Sequence, residues 1–169
     1  MEATYLCPAG YYCPKAGMVH YKGFHCKEGY VCPSGSSTED SVPCPAGTFS
    51  DRRRLHDVKQ CEICPKGFKC AEAATSANGK ITECPANHYC EYGTTDTGGI
   101  KCPSGTYNPQ TKGFSLDDCE PCPYGSYCDS GAGAVACPKG HYCPESTNSS
   151  SEYPCPEGTY RDSTGAKDK

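Results

Sequence analysis

The feature that most constrains this chain is the spacing of its 17 cysteines. From Cys44 the steps run 17, 3, 6, 14, 6 and 12 residues, through Cys61, Cys64, Cys70, Cys84 and Cys90 to Cys102. From Cys102 they run 17, 3, 6, 9, 6 and 12, through Cys119, Cys122, Cys128, Cys137 and Cys143 to Cys155. Ahead of Cys44, the cysteines at 7, 13, 26 and 32 are spaced 6, 13, 6 and 12, like the last four of the same repeat. The sequence therefore divides into a partial repeat over 1–43, two complete six-cysteine repeats over 44–101 and 102–154, and the start of a further repeat over 155–169.

An ordinary apolar core is beyond this chain. Leu, Ile, Val and Phe supply only 15 of its 169 residues, well under the roughly 20% below which chains stay disordered unless otherwise tied. Cystine is the available tie, since a cross-link closing a loop of about 15 residues contributes roughly 3 kcal/mol by restricting the unfolded chain. Disulfides in place of a core imply an oxidising compartment, and hence an extracellular or cell-surface location reached through the secretory pathway. The segment carries neither a signal peptide nor the run of about 18 apolar residues that would span a membrane. The expectation is an interior piece of a longer protein with no direct membrane insertion of its own. A formal net charge of −4 argues against nucleic acid as a partner, because phosphate binding needs a concentrated basic face. Arg52, Arg53 and Arg54, with His56 and Lys59, read as a solvated loop.

Nine short modules can be marked by their opening cysteines, at 7, 26, 44, 64, 84, 102, 122, 137 and 155. Eight of them have glycine three residues on, and the ninth has Asn87. Glycine, and asparagine less readily, adopts positive φ, so each opening cysteine predicts a tight turn. Eleven of the 15 prolines directly follow a cysteine, giving Cys-Pro-x-Gly turn signatures. An aromatic lies five residues after seven of the openings, with Tyr30 and Phe68 one place earlier in the other two. Each ring is expected to cover a disulfide as a small local core. No segment sustains helical periodicity, so the predicted fold is small and disulfide-rich, an elongated rod of stacked repeats with short β-hairpins and turns and little or no helix.

Spacing argues for a pairing without fixing it. Residues 44–61 and 102–119 each hold cysteines only at their ends, which points to Cys44–Cys61 and Cys102–Cys119. The two equal C-x5-C steps that follow favour crossed bonds: Cys64–Cys84 with Cys70–Cys90, Cys122–Cys137 with Cys128–Cys143, and in the partial repeat Cys7–Cys26 with Cys13–Cys32. The alternative closes each C-x5-C on itself. Either way Cys155 is left over, and its partner is expected 17 residues on, past residue 169.

CPAGTFS, CPSGTYN and CPEGTYR, followed by C-x-x-C and by CPKGFKC, CPANHYC, CPYGSYC and CPKGHYC, resemble the cysteine-rich repeats of the tumour-necrosis-factor receptor and ephrin-receptor-like families. The regular C-x5-C is closer to the long arrays of large protist and algal surface proteins, including those of flagellar mastigonemes. The resemblance implies one-bond modules alternating with two-bond modules of crossed connectivity. It spans almost the whole chain, but such scaffolds serve receptors, adhesins and filaments alike.

Competing chemistries are weaker. CEIC and CEPC have the spacing of half a zinc site, but the remaining spacings do not complete one, and no metal or cofactor is expected. The five histidines are scattered, with His88 and His141 at equivalent positions of CPANHYC and CPKGHYC. No nucleophile elbow, carboxylate pair or phosphate loop stands out, so catalysis is not expected. Asn148-Ser149-Ser150 is an N-glycosylation sequon in a polar loop. The function expected is a non-catalytic structural or assembly segment of a large extracellular glycoprotein, self-associating or contacting neighbouring chains and carrying glycans. A receptor ectodomain presenting a protein ligand, or an adhesin, are the alternatives.

Overall fold

The C-P-x-G turns at Cys44, Cys64, Cys102 and Cys122 each seed a two-stranded hairpin. The computed structural model describes residues 5–169, so the first four residues of the expected 1–43 repeat lie outside the described part. Among the described residues twelve strands of two or three residues pair into six two-stranded sheets, with two short 3-10 turns, Val58–Gln60 and Leu116–Asp118, and no α-helix. The chain is thus a small disulfide-rich fold of hairpins. In a typical module the residues after the glycine pair antiparallel with the dipeptide before the next opening cysteine: Tyr30–Val31 with Val42–Pro43, Thr48–Phe49 with Glu62–Ile63, and Ser126–Tyr127 with Val135–Ala136.

This hairpin geometry corrects the crossed pairing. Positive φ at the turn glycine, +85° at Gly10 for example, folds the chain back so that the residue six places on returns beside the opening cysteine. The bonds formed are Cys7–Cys13, Cys26–Cys32, Cys64–Cys70, Cys84–Cys90, Cys122–Cys128 and Cys137–Cys143, with Cα atoms 5.7–5.9 Å apart, inside the usual disulfide range. Cys7–Cys26, Cys13–Cys32, Cys64–Cys84, Cys70–Cys90, Cys122–Cys137 and Cys128–Cys143 are not made. The premise that fails is that successive C-x5-C segments lie antiparallel to each other. Each instead pairs with the linker that follows it, and the next opening cysteine is held beside the turn glycine, as in Cys26 N–H to Gly10 O, 3.1 Å. The bonds Cys44–Cys61 and Cys102–Cys119 close the two longer loops, and Cys155 is unpaired.

The chain divides into two compact units, Met1–Thr82 with Tyr92–Gly98, and Glu83–Glu91 with Gly99–Lys169. This division does not follow the six-cysteine boundaries at 44 and 102. Residues 92–98 belong with the first unit because Gly93 N–H donates to Cys64 O, 2.9 Å, and Cys70 N–H to Thr94 O, 3.0 Å.

Both units are built on the same ladder of backbone hydrogen bonds between consecutive modules. The turn glycine accepts from the next opening cysteine and donates to the carbonyl six places beyond that cysteine. In the first unit Gly10 donates to Cys32 O at 2.8 Å, Gly29 to Ser50 O at 2.9 Å and Gly47 to Cys70 O at 2.9 Å. In the second, Gly105 donates to Cys128 O at 2.8 Å, Gly125 to Cys143 O at 2.8 Å and Gly140 to Arg161 O at 2.9 Å. A second rung ties opening carbonyls to a left-handed residue of the next module, as in Arg54 N–H to Cys26 O, Ala73 to Cys44 O, Lys112 to Cys84 O and Ser146 to Cys122 O. Those four residues and Asn87, the substitute for a turn glycine, are the non-glycine residues at positive φ among the described residues.

The ladder also explains a requirement for glycine beyond the turn itself. A Cβ on Gly10 would lie 2.6 Å from Arg54 O, and one on Gly125 would lie 2.6 Å from Gly165 O, two modules further along in each case. Close passage of backbone past backbone leaves no room for a side chain.

The core is cystine. Among the described residues fourteen cysteines are buried, and the only other buried apolar residues are Val31, Leu55, Ala73, Ala74 and Ala166. At the Cys64–Cys70 bridge two aromatic rings cover the sulfurs from outside, Phe49 and Phe68 being half-buried against Cys64, Cys70 and Ala74.

Candidate functional site

The residues that could carry chemistry are, for the most part, engaged in holding the modules. Arg53 Nε donates to Glu28 Oε1 at 3.0 Å, the Arg54 guanidinium stands 4.6 Å from the centre of the Tyr11 ring, and Arg52 donates to Gln60 O while facing Glu62 at 3.6 Å. The basic cluster therefore clasps neighbouring segments of the first unit. His88 and His141 play one role twice: their Nδ1 atoms lie 3.0 Å from Ala86 O and 3.2 Å from Lys139 O, each two residues back in its turn. The four sulfurs of CEIC and CEPC belong to four different disulfides, so neither pair offers thiolates to a metal. Among the described residues no group of three His, Cys, Asp or Glu is placed to hold one.

The one-bond loops share a local device. In the first, Gln60 Oε1 accepts from His56 N–H and Asp57 N–H. In the second, Asp118 Oδ2 accepts from Phe114 N–H and Ser115 N–H. In both, the side chain just before the closing cysteine accepts from the two backbone N–H groups that lead into the 3-10 turn that delivers it. The threonine of the CPxGT signature is likewise a turn staple, with Thr48, Thr106 and Thr159 hydroxyls donating to the prolyl carbonyl three residues back at 2.7, 2.7 and 2.6 Å.

Asn148 is exposed. Its backbone N–H donates to Glu152 Oε2 at 2.7 Å and its Nδ2 to Glu152 Oε1 at 3.4 Å. The Asn148 N–H is the main cause holding the Glu152 carboxyl below its ordinary value, and the same carboxylate raises the neighbouring Tyr153 phenol. One glycan bond at Nδ2 leaves the other amide hydrogen for Glu152, so the sequon loop has the chemistry to keep its shape when modified.

Cys155 is half-buried, with its N–H donating to Gly140 O at 2.9 Å. In the first unit an open concavity of about 940 Å³ is lined by Tyr5, Leu6, Cys7, Met18, Val19 and Tyr21. Tyr5, Leu6 and Val19 are 89%, 73% and 85% exposed, and in the second unit Tyr160 is 89% exposed.

Sequence reasoning missed two positions. One is the left-handed residue that caps an opening carbonyl, which has no residue signature because Arg, Ala, Lys and Ser fill it as well as Gly. The other is the place six residues after an opening cysteine in the one-bond modules, filled by buried Ser50 and Asn108. Counting six from Cys44 and Cys102 would have found it.

No family model matches this sequence, and no curated protein matches it.

Proposed function

We propose that this chain is a non-catalytic structural or assembly segment of a large extracellular or cell-surface glycoprotein, of filament-forming, mastigoneme-like type. Eight disulfides and the lack of any helix long and apolar enough to cross a membrane among the described residues are consistent with an extracellular setting. The observation that carries the reading is the uniform ladder in each unit. A module that takes most of its order from its neighbours is suited to an array in which length and stiffness are the product.

Partners on this reading are further chains of the same assembly, with glycan on Asn148 facing solvent. Imaging the native protein tests it. A periodic polymer is the expected outcome, whereas a dispersed membrane monomer would move the chain to the receptor class. Peptide mapping before and after removal of N-linked sugar should show Asn148 modified, and Asn148 found only bare would strike out the glycan.

A further inference from the structure

We propose that Asn78 is a site of spontaneous modification, a deamidation driven by its own neighbour Gly79, and that the product loosens the point in the first unit where three modules meet.

The dipeptide sets the chemistry. In Asn78-Gly79 the residue after the amide has no Cβ to screen its backbone nitrogen, and a Cβ built there would meet nothing within 4 Å, so the space around it is open. Both residues are exposed to water. The other three asparagines are followed by His88, Pro109 and Ser149, each with a side chain or ring beside that nitrogen. The Gly79 nitrogen attacks Asn78 Cγ: the N–Cγ bond forms, the Cγ–Nδ2 bond breaks, and Nδ2 leaves as ammonia with the proton that Gly79 gives up. Water then opens the succinimide ring at one carbonyl or the other, leaving aspartate or its β-linked isomer. The step needs no oxidant, no reductant and no co-reactant but water.

The amide it destroys holds a joint. Asn78 Nδ2 donates to Ala73 O at 2.8 Å, and Asn78 Oδ1 accepts from Thr75 N–H and Lys80 N–H, each at 3.1 Å. Ala73 is the buried left-handed residue whose N–H donates to Cys44 O at 2.9 Å. Its carbonyl is also the atom past which the Gly29 turn runs, 2.8 Å from a Cβ built on Gly29. Ala73 therefore joins its own module, opened by Cys64, to those opened by Cys26 and Cys44. Positive φ is strained for alanine, and Asn78 is the side chain that holds it there.

An ionised carboxylate has no hydrogen to donate. After deamidation an oxygen stands where Nδ2 faced Ala73 O, so an attraction becomes a repulsion between two acceptors. The isomer also adds a backbone carbon to the turn between the paired strands Phe68–Cys70 and Ile81–Glu83, displacing Lys80 N–H. The change is irreversible and leaves the bridges Cys44–Cys61 and Cys64–Cys70 intact.

Peptide mapping of the folded chain during incubation at mildly alkaline pH tests the site, and amide hydrogen exchange tests the consequence. Asn78 is expected to trade ammonia for water in its mass before Asn87, Asn108 or Asn148 does, and Gly79→Ala, which screens the attacking nitrogen, to slow it several-fold. Asn78→Asp supplies one product directly. In it Ala73 N–H, and Ser50 N–H, which donates to Ala74 O at 3.1 Å, should exchange about tenfold faster than in the parent at neutral pH, the effect of one hydrogen bond lost with its partner left unsatisfied. Acidification restores a donor for Ala73 O, so protection relative to the parent at the same pH should recover in Asn78→Asp and stay low in Asn78→Ala. The charged groups about this loop, Lys27, Glu28, Asp51, Glu72 and Lys80, are common to parent and variants, so their titration cancels. A disulfide map checks that each variant folds. Asn78 intact when Asn148 has converted, or Gly79→Ala converting as fast as the parent, overturns the site. Parent-like exchange at Ala73 in Asn78→Asp, or recovery in Asn78→Ala, overturns the loosening.

Discussion

At Ser50 and Asn108 a polar residue occupies the place where six other modules put their second cysteine. Ser50 is fully buried and its Oγ accepts from Arg52 N–H at 3.1 Å, so hydrogen bonding replaces the bridge while the backbone rung from Gly29 is kept. The opening cysteine, deprived of a neighbour, takes Cys61 at the end of the longer loop. Ser50→Cys combined with Cys61→Ser should therefore re-form the module on a bond between Cys44 and the thiol introduced six residues after it, and mass mapping without reduction reads the outcome. Persistence of a free Cys44 would show that position six is not equivalent between module types. The turn glycines give a second residue-scale prediction. Gly140→Ala meets open space and bears only left-handed strain, about 1 kcal/mol. Gly125→Ala adds a clash with Gly165 O to the same strain and should lose about 3 kcal/mol. Denaturant melts at high dilution compare the two, and equal losses would remove the close-passage argument.

Within each element, bridging position six instead of the next module changes what a disulfide can stabilise. On loop-closure entropy each short bridge restrains the unfolded chain by about 2.4 kcal/mol and each 17-residue loop by about 3.2 kcal/mol. None of the six short bridges links one module to another, so cohesion between modules depends on backbone hydrogen bonds, covering rings and exposed ion pairs. One such pair joins Lys112 Nζ to Glu83 Oε1 at 3.0 Å, with Thr111 Oγ1 donating to Glu83 Oε2 at 2.9 Å. These two donors, Lys112 first, hold the Glu83 carboxyl below its ordinary value. A carboxyl depressed in the folded state contributes stability above its unfolded pKa and loses it as pH falls through the folded value. Solvent screening makes the contribution small. The second unit should thus soften on acidification, and Glu83→Gln should flatten that part of the pH profile of melting, most clearly at low salt. An unchanged profile would show that the pair contributes nothing measurable.

For the whole molecule, local pairing has a covalent consequence that crossed pairing would not. Lys15 and Lys22 are exposed and lie between the Cys7–Cys13 and Cys26–Cys32 bridges. Limited tryptic cleavage there, followed by a denaturing gel without reductant, should release the Cys7–Cys13 fragment. Crossed bonds would keep it attached, so retention until thiol is added would overturn the local pairing.

Much of the molecule is legible in the cysteine spacings alone. A chain this poor in large aliphatic residues must use cystine as its core, and the glycine three residues after each opening cysteine marks a turn, because backbone that must take positive φ leaves a residue signature. The hairpins, the small amount of helix and the two kinds of module all follow from that. The partner of each cysteine in C-x5-C does not, since equal spacings are compatible with crossed and local bonds. It is decided by where the extended residues after the turn find their hydrogen-bonding partner, in the linker before the next opening cysteine. The left-handed caps and the backbone contact at Gly10 and Gly125 are likewise tertiary: the caps use backbone groups that Arg54, Ala73, Lys112 and Ser146 supply alike, and the contact falls on glycines that the turn already requires, so neither adds a signature of its own.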